Sequence, residues 1–161
     1  MKGRHKNLVT ITLTSHHGHC CFIIFKTNFI FRTQYRAGAN DTELRKITSK
    51  DFFENINANA YTFCLRGAGN FSVRFYETLA MGRIPLVIDT DFRLPLEDLI
   101  SWENHCIIAA AHNFKQKLID FHIKITEEDF EQMQINNRKL WINHLNREAY
   151  FTEIHSVFLK N

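Results

Sequence analysis

Proline and glycine are scarce, with 2 and 6 residues in a chain of 161, and this scarcity excludes collagen-like and linker-dominated proteins. No run of about 18 uncharged apolar residues occurs, so the sequence predicts no transmembrane helix. The four cysteines include no CxxC pair, which favours a reducing compartment over a disulfide framework. Nothing near the N-terminus resembles a secretory signal, so we expect a cytoplasmic protein, with peripheral attachment to a membrane as a second expectation.

Apolar residues are plentiful, since 45% of the chain is hydrophobic and 13% is aromatic. A chain of this length buries roughly two-thirds of its unfolded surface when it folds, which is enough for one core and too little for two full-size domains. We therefore expect residues 1–161 to form a single domain.

The formal net charge is +3, but charge is unevenly distributed along the chain. Residues 1–50 carry nine basic and two acidic side chains, whereas residues 51–161 carry 11 basic and 15 acidic ones. Such a basic segment is typical either of a polyanion-binding arm or of a segment that packs on another part of a protein. No block of Lys and Arg is dense, so we favour the second interpretation and expect no nucleic-acid partner.

Short apolar runs alternate with amphipathic stretches, which is the pattern of an α/β fold with a largely parallel sheet. The predicted strands are Leu8–Leu13, Cys21–Phe25, Tyr61–Leu65, Ile84–Ile88 and Cys106–Ala109. The predicted helices between the later strands are Ser72–Met81, ended by Gly82, and a shorter one around Leu96–Trp102. Residues 26–48 show the least pattern and predict a long loop.

Helical periodicity dominates from Phe114 onward. Thr126 is followed by acidic residues up to Asp129, which resembles a capping box at the start of a helix. A last helix is predicted from His144 to Phe158. The whole is expected to be a Rossmann-like parallel sheet flanked by helices, with a helical C-terminal region.

The segment between the third and fourth predicted strands carries the chemistry. Its loop, Arg66–Asn70, follows a strand and contains Gly67 and Gly69. In open α/β folds ligands bind at the carboxyl ends of the strands. Glycines permit close approach of a ligand to the backbone, and the amides at the start of the next helix attract an anion. A phosphate group is therefore the expected ligand. The loop alone is equally compatible with an ordinary turn.

Polar residues on the following helix strengthen the phosphate hypothesis. Arg66 and Arg74 can form charge-assisted hydrogen bonds to a diphosphate, and Ser72 can donate from its hydroxyl. Arg74 and Glu77 are three residues apart and share a helix face, where a surface ion pair worth about 0.2 to 0.5 kcal/mol is the purely structural alternative.

An ordered set of residues over this segment resembles the donor-binding part of exostosin-like glycosyltransferases. The shared pattern is S-x-R, then Glu, a Gly, I/V-P-V-I, P-x-x-D and Trp. Here it runs through Ser72, Arg74, Glu77, Leu79, Gly82, Ile84, Pro85, Val87, Ile88, Leu94, Pro95, Asp98 and Trp102. Weaker likeness extends over residues 28–151, while residues 1–27 match poorly.

The resemblance implies one half of a GT-B fold, in which this domain holds a nucleotide-sugar donor. It implies that Glu77 accepts hydrogen bonds from the ribose hydroxyls, while Ser72, Arg74 and the loop amides bind the diphosphate. It also implies that no metal cofactor is required, because positive charge and helix amides stabilise the leaving diphosphate. The expected partners are the donor, a glycan acceptor and a separate or missing N-terminal acceptor domain. No catalytic base is assigned.

Two other groups of residues bear on metal chemistry. Asp89 and Asp91 superficially resemble the DxD of metal-dependent transferases, but we expect them to shape the pocket floor or cap the next element, with ligand contact by Asp91 as the lesser alternative. His16, His17, His19, Cys20 and Cys21 lack the spacing of a zinc site on a helix. We expect no metal site in either group.

The function predicted from the sequence is therefore that of a glycosyltransferase donor domain. It would bind a nucleotide-diphosphate sugar and transfer the glycosyl unit to a glycan acceptor. The alternatives are a non-catalytic nucleotide- or anion-binding module, left by truncation or divergence of such an enzyme, and a polyanion-binding protein that uses its basic first 50 residues.

Overall fold

The structure is a computed structural model that describes residues 8–14, 24–30, 41–67 and 69–159. Contacts divide the chain into two compact units, Met1–Phe63 and Cys64–Asn161. Strands and helices occur in both, so the predicted α/β class is confirmed. None of the helices in the described ranges is long and apolar enough to cross a membrane.

The first unit contains two long strands, β1 (Leu8–Thr14) and β2 (Ile24–Ile30), and most of β3 (Tyr61–Cys64). β1 pairs antiparallel with β2 along its whole length, and its middle pairs antiparallel with the start of β3. The expectation of parallel pairing is wrong for β1. Parallel neighbours need a crossover connection, which the short chain between β1 and β2 does not supply.

The loop predicted over residues 26–48 is wrong at both ends, because β2 covers its first residues and helix α1 (Thr42–Asn57) covers its last ones. Residues 31–40 lie outside the described residues. Asp41 caps the helix by accepting a 2.7 Å hydrogen bond from the Leu44 amide. The apolar periodicity that normally reveals a helix is weak here. Of its buried residues, Thr48, Asn55 and Ile56, only the last is apolar.

The second unit contains β4 (Ile84–Asp89) and β5 (Ile107–Ala110), which run parallel with Leu86 opposite Ile107. The first five residues of β4 are buried, as expected for a strand covered on both faces. The predicted strands in this unit are confirmed to within one residue at each end. Here the expected parallel pairing is also confirmed.

Helix α2 (Val73–Ala80) lies between β3 and β4 in the chain and is one residue shorter at each end than the predicted helix Ser72–Met81. Gly82 stops it, as predicted. Gly82 has φ of +62°, and its amide donates to Leu79 O while the Arg83 amide donates to Thr78 O. This is a Schellman turn, which favours glycine at the left-handed position. A Cβ at Gly82 would also lie 3.0 Å from the Gln134 carbonyl oxygen, so the turn packs tightly on the helix that carries Gln134.

The helix predicted over Leu96–Trp102 is absent. Residues 95–99 form a turn, and only a short 3₁₀ helix, Trp102–Asn104, follows. Leu96 has φ of 51°, a left-handed value that no α-helix accommodates. The Trp102 indole then donates a 2.9 Å hydrogen bond to Pro95 O, which fastens the turn to the core.

Three helices form the C-terminal region, α3 (Phe114–Lys124), α4 (Glu127–Leu140) and α5 (Arg147–Leu159). The helical C-terminal region is therefore confirmed. So is the cap at Thr126, whose hydroxyl oxygen accepts from the Asp129 amide at 3.1 Å. A five-residue π-helical segment, Trp141–Leu145, separates α4 from α5, and so the last helix starts later than predicted.

An aromatic cluster anchors α2 in the second unit. Phe75 is fully buried, and its ring centroid lies 5.1 Å from that of Trp102 and 5.6 Å from that of Phe92. Leu79 is also fully buried. These contacts fix one face of α2. The first turn of the helix is therefore held in a defined position next to the loop that precedes it.

One buried amide ties α4 to the amino-terminal ends of two strands. Asn137 is 0% exposed and donates to Arg83 O at 3.0 Å and to His105 O at 2.9 Å. Its Oδ1 lies 2.9 Å from His105 Nδ1. Since the amide oxygen can only accept, His105 must donate from Nδ1. The Asn137 side chain thus provides a hydrogen-bond donor for one carbonyl oxygen in each of the two segments that lead into β4 and β5.

Candidate functional site

The loop after β3 brings four of the predicted site residues to the surface. Arg66, Gly67, Gly69 and Asn70 are all exposed. The Gly67 amide donates a 3.0 Å hydrogen bond to Phe71 O, which closes the loop on itself immediately before α2. This bond joins the two ends of the loop at the carboxyl end of β3, the place at which the sequence predicts a ligand.

The two loop glycines have different surroundings. A Cβ at Gly69 would lie 3.2 Å from the Phe71 ring, whereas a Cβ at Gly67 would meet nothing nearer than Phe71 O at 3.8 Å. Gly67 does not adopt a left-handed backbone. Gly69 is thus packed against the Phe71 ring, whereas a Cβ at Gly67 would make only an ordinary van der Waals contact with Phe71 O.

Ser72 stands at the start of α2 and leaves the helix without a side-chain cap. Its backbone is extended, as at an N-cap, yet its hydroxyl makes no capping hydrogen bond. The residue is only 6% exposed, and among the described residues the hydroxyl has no hydrogen-bond partner. The first amides of a helix generally lack partners within it, although here the Phe75 amide donates to Ser72 O at 3.1 Å. A buried serine at this end is therefore well placed to bind an anion together with the helix terminus.

Arg74 and Glu77 lie on the same face of α2 and are both half-buried. Both charges act on the neighbouring Cys64 thiol, the last residue of β3. Burial raises the pKa of Cys64 to about 12, while the positive charge of Arg74 opposes this rise and the negative charge of Glu77 adds to it. The two side chains are thus close to the carboxyl end of β3.

A second loop, which follows β4, lies next to the loop after β3. Arg66 Nη1 lies 3.7 Å from Asp91 Oδ2, and the Arg93 amide donates a 2.8 Å hydrogen bond to Asn70 O. These two contacts join the loops. Sequence reasoning gave Asp91 only a lesser chance of ligand contact and did not consider Arg93. The partner of Arg66 could not be read from spacing, because it lies 25 positions further along the chain.

A different cluster of positive charge lies at the opposite end of β4. A cleft of about 440 Å³ is lined there by seven residues, Met81, Gly82, Arg83, Gln134, Ile135, Arg138 and Lys139. Its arginines are used in holding the fold together. Arg83 donates to Gln134 at 3.2 Å, and Arg138 donates to Ala80 O and lies over the Trp141 ring. The cleft is therefore a weaker candidate for anion binding than the loop.

Metal-binding and nucleophilic chemistry find little support in the described parts of the chain. No group of three or more His, Cys, Asp or Glu side chains is arranged there to hold a metal ion. The His16–Cys21 cluster lies outside the described residues. Burial raises the pKa of Cys106 to about 12, as it does for Cys64, so both thiols stay protonated and unreactive near neutral pH.

Comparison with known proteins finds a short similarity to an exostosin. No family model matches the chain. Over 63 residues it is 40% identical to an exostosin-1 homolog of Caenorhabditis elegans, a stretch that covers 38% of this chain and 16% of that relative. The chain is thus similar to a small part of an exostosin, and the activity of the whole relative does not transfer with that part.

Proposed function

We propose that this chain is the donor-binding part of an exostosin-like glycosyltransferase, a Rossmann-like half of a GT-B fold. The observation that carries the proposal is the junction of β3 with α2. There an exposed glycine-containing loop, an uncapped helix start with the buried Ser72, and the half-buried Arg74 and Glu77 follow one another within 12 residues. The partial similarity to an exostosin supports the same interpretation.

The diphosphate of a nucleotide-sugar would bind at the start of α2. Helix amides and the Ser72 hydroxyl donate hydrogen bonds to phosphate oxygens, while Arg74 and Arg66 supply positive charge. As the bond between the sugar and the diphosphate breaks, the electron pair passes to the departing phosphate oxygen. Donors already fixed in place stabilise this charge as it develops, which is the largest contribution that such a site makes to catalysis.

Glu77 would bind the ribose of the nucleotide. It lies one helical turn beyond Arg74 on the same face, so a nucleotide with its diphosphate at the helix start can place its ribose diol against this carboxylate. A carboxylate accepts hydrogen bonds from both hydroxyls of a diol, as acidic residues do in dinucleotide-binding folds.

The acceptor and its activation would come from elsewhere. The acceptor hydroxyl attacks the sugar carbon and releases its proton to a base, which we assign to a separate acceptor-binding part rather than to this chain. In this proposal no metal ion is needed for donor binding, because Arg66, Arg74 and the helix terminus balance the charge of the diphosphate.

Calorimetric titration of the purified chain with UDP, GDP and their sugar conjugates tests the proposal. We expect saturable binding of one nucleoside diphosphate without added metal and little change when Mg²⁺ is added. The corresponding monophosphate should bind more weakly, because it lacks one of the two phosphates. If a chain that circular dichroism shows to be folded releases no heat with any nucleotide, the donor-site proposal is wrong. Binding without transfer in the presence of an acceptor domain would instead favour a non-catalytic nucleotide-binding module.

A further inference from the structure

A negative charge stands next to the positive charge of the candidate diphosphate site. The Asp91 carboxylate lies 3.7 Å from the Arg66 guanidinium, and both side chains are accessible to solvent, with exposures of 74% and 44%. A carboxylate at this distance repels any phosphate that approaches Arg66. A site built only to hold anions gains nothing from such a group.

The position of Asp91 is nevertheless defined by the loops around it. Its φ of 64° lies in the left-handed region, which few residues other than glycine adopt and which occurs often at functional sites. Its amide donates to the Asp89 carboxylate at 3.3 Å. The Arg93 amide, two residues later, donates to Asn70 O in the glycine loop. The backbone of Asp91 is therefore held beside the loop that would receive the diphosphate, and its carboxylate lies 3.7 Å from Arg66.

Charge distinguishes the two nucleotides that such a site meets. A free nucleoside diphosphate has a terminal phosphate whose second ionisation lies near pH 6, and so it carries about one more negative charge at neutral pH than the sugar conjugate does. The sugar conjugate replaces that charge with a ring of hydroxyl groups. A carboxylate repels the terminal phosphate of the first ligand but accepts hydrogen bonds from the hydroxyls of the second.

We propose that Asp91 is a specificity-determining residue that favours the intact nucleotide-sugar over the free nucleoside diphosphate. The inference rests on the proposed donor site and assigns Asp91 to the position of the sugar, next to the terminal phosphate. The Asp91 carboxylate would thereby help the site to release the nucleoside diphosphate after transfer. Once the sugar has been transferred, the remaining diphosphate meets a negative charge where hydroxyl groups had been bound.

The Asp91→Asn variant tests this with two ligands, UDP and UDP-glucose, or GDP and GDP-mannose if the protein prefers guanosine. Asparagine keeps the size of the side chain and tolerates the left-handed backbone. We expect the variant to bind the free diphosphate about three- to tenfold more tightly, because a like charge is removed. The sugar conjugate should bind more weakly by a similar factor, because a charged acceptor is replaced by an amide.

Opposite shifts for the two ligands are the diagnostic result. A parallel loss of affinity would mean that Asp91 only supports the loop, and a parallel gain would mean that it acts only through general charge. Either result overturns the specificity proposal while leaving the donor site intact. Asp120→Asn on α3 is the matched control, because it removes one exposed carboxylate that contacts Gln116 on its own helix, and both affinities should stay unchanged. Failure of the wild-type chain to bind either ligand would overturn both proposals.

Discussion

Replacement of Asn137 by aspartate is expected to lower the free energy of unfolding by about 3 to 5 kcal/mol, because it places a buried charge against two carbonyl oxygens. The carboxylate would keep the hydrogen bond from His105 Nδ1. The Asn137 amide donates to Arg83 O and to His105 O. Aspartate would place a carboxylate oxygen against two carbonyl oxygens in a position with no access to water. The variant thus loses two hydrogen bonds and gains a repulsion, with almost no change in volume.

Urea denaturation followed by circular dichroism measures this effect. Asn136→Asp is the matched control, because Asn136 is the exposed neighbour on the same helix and a surface change of this kind is usually worth less than about 0.5 kcal/mol. Equal stability of the two variants would contradict the role assigned to Asn137.

The pH dependence of the Asn137→Asp variant has a definite sign. Burial raises the pKa of the new carboxyl above its unfolded value of about 3.9. A group whose pKa is raised on folding is tolerated below the unfolded value, and its destabilisation grows as pH rises toward the folded value. The deficit relative to the wild type should therefore shrink on acidification toward pH 4, because the protonated carboxyl is neutral and can donate one hydrogen bond.

The second large effect concerns ligand binding. Arg74→Ala is expected to weaken nucleoside diphosphate binding by about 1.5 to 3 kcal/mol, the usual contribution of a hydrogen bond to a charged group, which is roughly 10- to 150-fold in Kd. Calorimetric titration measures it. Arg147→Ala on α5 provides the control, since it removes an exposed arginine with the same change in net charge.

A substitution of Glu77 distinguishes binding of the ribose from binding of the diphosphate. Glu77→Gln should weaken binding of the nucleoside diphosphate but not of inorganic pyrophosphate, because only the former has a ribose diol to bind the carboxylate. A folded Arg74→Ala variant with wild-type affinity, or a Glu77→Gln variant that loses both ligands equally, would contradict the assigned roles.

Local sequence signals predicted the second unit well. Uniformly apolar runs located β4 and β5, Gly82 marked the end of α2, and Thr126 marked the start of α4. Each of these depends on residues that are close in sequence, such as the Schellman hydrogen bonds around Gly82. Their physical causes are therefore contained in a short stretch of chain.

Features that depend on distant partners were missed. α1 buries few apolar residues, so its sequence shows no clear helical face. The helix predicted at Leu96 is lost to a left-handed residue, and the Trp102 indole fastens that turn through Pro95. The Arg66–Asp91 pair and the Asn137 network join residues separated by 25 to 54 positions. No pattern in one sequence records which residues meet across such distances.

The candidate site likewise has a part that the sequence predicts and a part that depends on distant residues. The order of residues on the loop and on α2 placed Arg66, Gly67, Gly69 and Asn70 ahead of Ser72, Arg74 and Glu77, and the structure puts them at the carboxyl end of β3. The contacts of the loop after β4, Asp91 with Arg66 and the Arg93 amide with Asn70 O, join residues that are distant in sequence. No pattern in the sequence predicts these contacts, and the binding roles of the site residues stay predictions.

The most direct test of the donor site is to follow the backbone amide resonances of the isotope-labelled chain as a nucleoside diphosphate is added. We predict saturable shifts concentrated at Gly67, Gly69, Ser72 and Arg74, with little change around Arg83 and Arg138 at the opposite end of β4. Saturable shifts confined to that opposite cleft, or no shifts in a folded chain, would contradict a donor site at the start of α2.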